Sequence, residues 1–236
     1  MKHIFFFLTI LCCVAGLRAD ESAAYKLNVQ NFSELTVVDG VAVDYYCQPD
    51  SAGWAVFSCT PDKAASIMFE NKAERLTVRS AADEKTIDGL PRIKVYSASL
   101  HKVENSGDSI IRVYQPVHID SFHAKQIGNG AIEIYGLDAD DVDAGVTAGK
   151  GGLSISGKAD KAKLRNVGAG LVDASALTVR QANCYVFGSG DVYCNPSDQL
   201  RIYGAGSGKI YHFTTPAKIA NRGIGVKAHS SDEIER

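Results

Sequence analysis

The chain has 236 residues, of which 45% are hydrophobic and 22% are charged, and its formal net charge is −2. Its basic residues are dispersed rather than clustered, which argues against a nucleic-acid partner. Beyond the first twenty residues no run is long or apolar enough for a membrane span. The length suits one large β domain.

The N-terminus has the pattern of an export signal. Lys2 is followed by an apolar run from Ile4 to Ala15, which is too short to cross a bilayer, and Ala19 is a suitable small residue before a cleavage point. Residues 1–19 are therefore predicted to be a secretory signal peptide. The mature protein is expected in the periplasm, on the outer-membrane surface or outside the cell.

Residues 25–99 are rich in short β patterns without a clear repeat. Val37 to Tyr46 looks like two strands around Asp39-Gly40, and Trp54 to Cys59 alternates like a further strand. We predict that residues 25–99 form irregular β-strands that cap the rest of the fold.

Residues 100–226 carry a glycine signal that recurs about every 20 residues, the mark of a stacked solenoid. The signals are Gly128-Asn129-Gly130, Gly149-Lys150-Gly151, Gly168-Ala169-Gly170, Gly188-Ser189-Gly190 and Gly206-Ser207-Gly208. Each repeat is called a rung below. A single rung cannot bury its own apolar face, but a stack of rungs can.

Aligning the rungs on the last glycine of each signal gives matching apolar columns. Two residues after that glycine stand Ile132, Leu153, Val172, Val192 and Ile210. Four residues after it stand Ile134, Ile155, Ala174, Cys194 and His212, and six before it stand Ala124, Leu164, Cys184 and Ile202. The Gly149-Lys150-Gly151 rung fits the last column only if its register slips by one residue. Alternation with period two predicts strands whose apolar side chains point inward.

The predicted fold is therefore all-β, a parallel β-helix or solenoid with rungs of about 20 residues. Residues 20–226 are expected to form one domain, with residues 227–236 as a polar tail.

Two rungs, Val186 to Val192 and Ile202 to Ile210, resemble the "GSGD-hydrophobic" repeats of bacterial secreted proteins known as the "putative auto-transporter adhesin, head GIN domain" family. The stretch from Phe32 to Val43 is similar to the start of that domain, and the resemblance extends to Gly225. The rung signals at Gly149 and Gly168 lack its Ser and Asp. The resemblance implies a right-handed β-helix-like fold and, by name, adhesion; it brings no catalytic residues.

Four cysteines remain after the predicted cleavage, an even number that allows disulfides in an exported chain. Cys184 and Cys194 are predicted to face inward on either side of one corner, either as a disulfide or as two buried thiols. A bridge between Cys47 and Cys59 is the weaker pairing, since the predicted hairpin does not place them opposite one another.

Two groups of polar residues are candidate metal or acid–base sites. The acidic run Asp138, Asp140, Asp141 and Asp143 could hold calcium or be a solvated loop. His118, Asp120 and His123 lie close in sequence but lack a third ligand or a nucleophile. We predict no metal, cofactor or catalytic residue.

Outward-facing aromatic residues recur at matching positions. Tyr185 and Tyr203 share one position in consecutive rungs, Tyr193 and Tyr211 share another, and Phe187 is nearby. Such aromatics can bind sugars or a protein partner, or can stack on one another to stabilise the sheet.

Two functions remain open. The first is an exported, non-catalytic solenoid with an adhesin-like role toward a cell-surface glycan or protein. The alternative is a carbohydrate-active enzyme or glycan-binding module, because β-helices also serve lyases and hydrolases. The dispersed carboxylates favour the first, since glycosidases pair two carboxyl groups in one cleft.

Overall fold

A computed structural model describes residues 22–81, 89–115 and 117–233. The predicted signal peptide, residues 1–19, lies outside the described residues. Within them the chain is a β-solenoid of about six turns, as the glycine repeat predicts. One continuous apolar core runs from Val29 to Val226.

The described residues form seventeen strands, one short α-helix and two 3₁₀ turns. The strands are β1 Ala23–Asn28, β2 Glu34–Val37, β3 Val43–Cys47, β4 Trp54–Cys59, β5 Ile67–Lys72, β6 Arg75–Ser80, β7 Ile93–Ser97, β8 Lys102–Asn105, β9 Ile110–Tyr114, β10 Ile119–Ile127, β11 Ala131–Ala148, β12 Gly152–Gly168, β13 Leu171–Gly188, β14 Asp191–Gly206, β15 Lys209–His212, β16 Lys218–Asn221 and β17 Lys227–Ser230. The helix α1 is Pro61–Ala65, and the 3₁₀ turns are Pro49–Ser51 and Ser231–Glu233.

Strands β11 to β14 each run around most of one rung and pair in parallel with the next. The predicted column pairs in register, with Ile132 opposite Leu153, then Val172, Val192 and Ile210. All five side chains are at most 1% exposed. The register predicted from sequence is therefore confirmed, and each column member is a fully buried aliphatic side chain.

The predicted register slip is also present. Ala144, rather than Gly145, joins the column between Ala124 and Leu164, and the slip is taken up by an irregularity after Gln126. His212 behaves differently from its column, because it is half-buried and its Nδ1 lies 2.7 Å from the Thr214 carbonyl oxygen.

The two glycines of a signal meet different demands. Gly188 has φ 129°, a conformation that disfavours a side chain. Gly190 needs space instead, since a Cβ there would lie 2.4 Å from the Gly170 carbonyl oxygen of the preceding rung. Both glycines let successive corners stack backbone against backbone.

The N-terminal strands continue the same stack and include its irregular outer end. β2 pairs in parallel with both β6 and β8, and β3 with both β7 and β9. The middle layer, β2–β3, therefore comes first in the sequence. It is followed by the outer layer β6–β7 and then by the inner layer β8–β9, which pairs with β10 and β11. Only β1, β4 and β5 run antiparallel, at the outer end.

The C-terminal boundary also differs from the sequence expectation. Lys227–Ser230, assigned to a polar tail, forms β17 and pairs in parallel with β15. The stack therefore gains one more strand beyond residue 226.

Candidate binding faces of the solenoid

Two lateral faces of the solenoid carry the predicted binding residues. The leading face consists of the segments that follow each glycine signal, together with β3, β7, β9, β15 and β17. The trailing face consists of the segments that precede each signal, together with β2, β6, β8 and β16. A corner of the backbone separates the two faces.

Tyr185 and Tyr203 lie on the trailing face and stack, with ring centroids 5.0 Å apart and 14° between the ring planes. Phe187 lies one outward position further along and is 48% exposed. Its column continues through Val167 on one side and, through Ala205, to Ile224 on the other. We call Val167, Tyr185, Phe187, Tyr203 and Ile224 the aromatic patch.

Tyr193 and Tyr211 lie on the leading face, so the five predicted residues do not form one surface. Their rings meet edge to face, with centroids 5.3 Å apart. The ring centroid of Phe213 lies 5.9 Å from that of Tyr193, and the ring centroid of His229 lies 5.5 Å from that of Tyr211. Burial raises the pKa of Tyr193, which fits a packed aromatic cluster rather than an open platform.

The longest aromatic column was not found in the sequence. Tyr96, Tyr46, Tyr114 and Tyr135 stack in that order on β7, β3, β9 and β11, with centroid distances of 5.5, 4.9 and 5.2 Å. We call these four residues the tyrosine ladder. Trp54 of β4 lies opposite Tyr96 and extends the aromatic column onto the antiparallel edge.

Ion pairs run beside the tyrosine ladder. Arg92 Nη1 lies 2.8 Å from Asp44 Oδ1, and Arg112 Nε donates to Glu133 Oε2 at 2.9 Å. The Tyr135 hydroxyl donates to the same Glu133 oxygen at 2.7 Å. Partial burial alone would raise the pKa of Glu133, but these hydrogen bonds hold it below its usual value. Glu133 is therefore an ionised acceptor at neutral pH.

Two shallow depressions indent the faces. The depression on the trailing face, of about 350 Å³, surrounds Gly145 and is bordered by Lys102, His123, Lys125 and Arg165. Arg165 is already ion-paired with Asp143. The depression on the leading face, of about 200 Å³, lies between Glu133 and Asp173.

Residues 23–216 match the family model described as "Putative auto-transporter adhesin, head GIN domain". The chain belongs to this family. Three solved structures show the same fold. A "putative adhesin" from Bacteroides fragilis NCTC 9343 is 18% identical with a TM-score of 0.75, and the match covers 90% of this chain and 99% of that one.

The second structure, a "putative lipid binding protein" from Parabacteroides distasonis ATCC 8503, is 17% identical with a TM-score of 0.66, and the match covers 88% and 96% of the two chains. The third, a "putative adhesin" from Parabacteroides merdae ATCC 43184, is 17% identical with a TM-score of 0.59, with 89% and 96% covered. No curated protein matches the chain in sequence. Within the described part of this head GIN protein, no helix could span a membrane.

All four cysteines of the head GIN solenoid are free thiols in the structure. Cys184 and Cys194 are fully buried neighbours, and the pKa of Cys184 is raised by its contact with Cys194 and by burial. Their disulfide stays a prediction. The Cys47–Cys59 pairing is wrong, because β7 lies between β3 and β4 and keeps the two thiols apart.

The acidic run is a strand, not a loop. Asp138, Asp141 and Asp143 on β11 lie opposite Lys158, Lys161 and Lys163 on β12. Lys158 Nζ lies 2.9 Å from Asp138 Oδ2. A lysine run therefore matches the acidic run one rung later, which allows cross-strand charge pairing.

The predicted histidine group is only partly assembled. His118 Nδ1 lies 2.9 Å from Asp138 Oδ1, which raises the pKa of His118. One ligand atom from each of His118, Asp120 and Asp140 lies within 4.8 Å of the others, all three residues are exposed, and His123 is not among them. None of these three described residues is buried.

Proposed function

We propose that this head GIN protein is exported and acts without catalysis, as an adhesin-like protein that binds a cell-surface glycan or protein through a lateral face of its solenoid. The aromatic patch on the trailing face carries the proposal. Val167 is 40% exposed and Phe187 48%, and both lie on paired strands of the stack. Ile224, 79% exposed, lies between β16 and β17 and forms a single bridge with Ala205. Contiguous exposed apolar side chains on a soluble protein are typical of interaction surfaces.

The geometry of the patch favours a partner over self-packing. Tyr185 and Tyr203 each stack one ring face against the other, and Lys163 Nζ lies 5.3 Å from the Tyr185 ring centroid. Phe187 has no ring neighbour among the ring contacts of the described residues, which leaves its surface open. A rigid surface of this kind loses little conformational entropy on binding.

The ionisation of the carboxyl groups favours binding over glycoside hydrolysis. A glycosidase needs one carboxyl group that holds its proton near neutral pH. Burial tends to raise the pKa of Glu34, but hydrogen bonds from Arg75 lower it below its usual value. Burial and hydrogen bonds from Tyr135 and Arg112 have the same opposing effects on Glu133, whose pKa is also lowered. Hydrogen bonds from His118 and Lys158 likewise lower the pKa of Asp138.

The proposal is tested by binding of the purified, labelled protein to glycan arrays and to intact cell surfaces. We expect saturable binding that the double variant Tyr185→Ala, Tyr203→Ala weakens at least tenfold. The matched control is Tyr193→Ala with Tyr211→Ala, which removes two tyrosines from the other face. Equal binding by the patch variant and the parent would reject the patch, and turnover of a polysaccharide would reject the non-catalytic assignment.

Export is tested separately. Expression of the full chain in a bacterium should give a periplasmic or surface product whose N-terminus begins after Ala19. A cytoplasmic, unprocessed product would reject the export proposal while leaving the binding proposal intact.

A further inference from the structure

The β12 strand carries short outward side chains where it crosses the leading face, so the surface is depressed there. Its outward positions are the small residues Gly152 and Ser154, while the neighbouring strands place Glu133 on one side and Leu171 and Asp173 on the other. The result is the 200 Å³ depression, which we call the β12 trench. This volume equals that of roughly seven liquid water molecules, enough for one small ring rather than a chain.

The glycine at the floor of the trench is not required by the backbone. A Cβ built on Gly152 meets nothing within 4 Å, and Gly152 is not among the glycines with positive φ. Its neighbour Gly151 is different, since a Cβ there would lie 2.6 Å from the Gly130 carbonyl oxygen. The fold therefore needs Gly151, whereas the missing side chain at Gly152 only keeps the trench open.

An aromatic ring, that of Tyr135, lies beside the trench next to its lining residue Glu133. Tyr114 covers one face of the Tyr135 ring at 5.2 Å, and the Tyr135 hydroxyl is held by Glu133. The Tyr135 ring stays 41% exposed, and among the described residues no further ring stacks on its second face. Leu171, 38% exposed, supplies apolar surface on the lower border.

The polar groups of the trench are mainly acceptors. Glu133 is oriented by Arg112 and Tyr135, and Asp173 Oδ1 accepts from the Ser175 amide at 3.0 Å and its hydroxyl at 2.6 Å. The second oxygen of each carboxylate has no hydrogen bond to the described residues. A pair of carboxyl groups disfavours an anionic ligand and offers acceptor oxygens to hydroxyl groups.

We propose that the β12 trench binds a neutral sugar residue of a glycan, with its C–H groups against Leu171 and the adjoining Tyr135 ring and its hydroxyls donating to Glu133 and Asp173. A sugar ring combines these apolar and hydroxyl faces, as the trench combines an aromatic ring with acceptors. The trench is a second site, apart from the aromatic patch, and rests on the proposed function only in assigning a glycan as a ligand.

The test uses isothermal titration of the mature protein with neutral glucan, mannan and galactan oligosaccharides and with oligogalacturonate. We expect at least one neutral series to bind and the acidic series not to bind. Gly152→Leu should reduce the affinity at least tenfold, because the new side chain fills the trench without a backbone clash. Glu133→Gln should reduce it by a smaller factor while keeping the neutral-sugar preference.

Two further variants keep the result interpretable. Lys209→Leu places the same side chain on the leading face outside the trench and should bind like the parent. Ser154→Leu blocks the trench from an exposed position if Gly152→Leu does not fold, as judged by its thermal transition. Absence of neutral-sugar binding, unchanged affinity in a folded trench variant, or preference for oligogalacturonate would each overturn the proposal.

The outcome for the trench is separable from that for the aromatic patch. Trench variants should bind intact cells through the patch as the parent does. If the Tyr185→Ala, Tyr203→Ala variant lost cell binding but Gly152→Leu kept the parent's oligosaccharide affinity, only the trench proposal would be rejected. The opposite pattern would reject only the patch.

Discussion

In the C-terminal half, each rung is one continuous stretch of chain such as β13, whereas in the N-terminal half each layer joins separate strands such as β2 and β3. Both halves nevertheless share one core and parallel pairing between layers. The difference lies in chain path. In one half, spatial neighbours are about one repeat apart in sequence; in the other, the middle layer is made before either neighbour.

This contrast decides which columns can be seen in the sequence. Tyr185 and Tyr203 are stacked neighbours one repeat apart, and the repeat reveals them. Tyr46 stacks on both Tyr96 and Tyr114, at separations that follow no period. Column prediction therefore works only where the chain advances along the stack in sequence order.

The largest effect is expected from a charge in the shared core. Val192→Asp in the C-terminal half and Val95→Asp in the N-terminal half each place an unpaired carboxylate at a position with 0% exposure. We expect each to lower the free energy of unfolding by at least about 4 kcal/mol. The measurement is urea unfolding followed by circular dichroism.

Each core variant should shift the single unfolding transition of the whole protein, because one core joins the two halves. A variant that kept a separate cooperative transition for the unmodified half would show that the halves are independent units. Lys209→Asp, at an exposed position, is the control.

A second prediction concerns the glycines that allow rungs to stack. Gly188→Ala should destabilise the protein by about 2–3 kcal/mol, because of its φ of 129° and because its Cβ would lie 2.4 Å from the Gly168 carbonyl oxygen. Gly152→Ala should change stability by no more than about 0.5 kcal/mol. Thermal unfolding compares the two, and equal effects would contradict the distinction drawn between corner and trench glycines.

The tyrosine ladder and the aromatic patch should differ in their contribution to stability. Tyr46 stacks against two rings and Tyr185 against one. With about 0.5–1.5 kcal/mol for each aromatic pair, Tyr46→Leu should destabilise more than Tyr185→Leu, by about 1 kcal/mol. Chemical denaturation measures the difference; the opposite order would mean that the ladder does not hold the N-terminal layers.

The smallest effect is expected where the halves join, at the His118–Asp138 pair. Asp138 raises the pKa of His118, so this contribution is complete below the unfolded histidine pKa and is lost as pH rises through the folded one. His118 in turn lowers the pKa of Asp138, and that contribution is lost as pH falls through the folded carboxyl pKa. Histidine NMR titration should show the upward shift of the His118 pKa, and Asp138→Asn should reduce it to the smaller part that Asp140 and Asp120 cause.

The fold and inward columns of the C-terminal half could be predicted because glycine spacing and period-two alternation report directly on local geometry. Val172 and Val192 are buried where the repeat places them. The N-terminal layers could not be predicted, because no local pattern in β2 indicates that β6 and β8 flank it.

The candidate sites divide in the same way. The Tyr185–Tyr203 stack follows from the repeat, but the separation of Tyr193 and Tyr211 onto another face requires the corner geometry. The β12 trench had a sequence signal, the extra Gly152 after the glycine pair, whose meaning appears only once Glu133 and Asp173 are placed beside it.

The order of the N-terminal layers has a consequence for how the protein folds during synthesis. β2 and β3 gain neighbours on both sides only after the chain has been made as far as Tyr114. The N-terminal half of the molecule must therefore condense as a single nucleus from non-local contacts. Each later rung can then add to a finished template as it emerges, so folding should proceed vectorially from that nucleus toward the C-terminus.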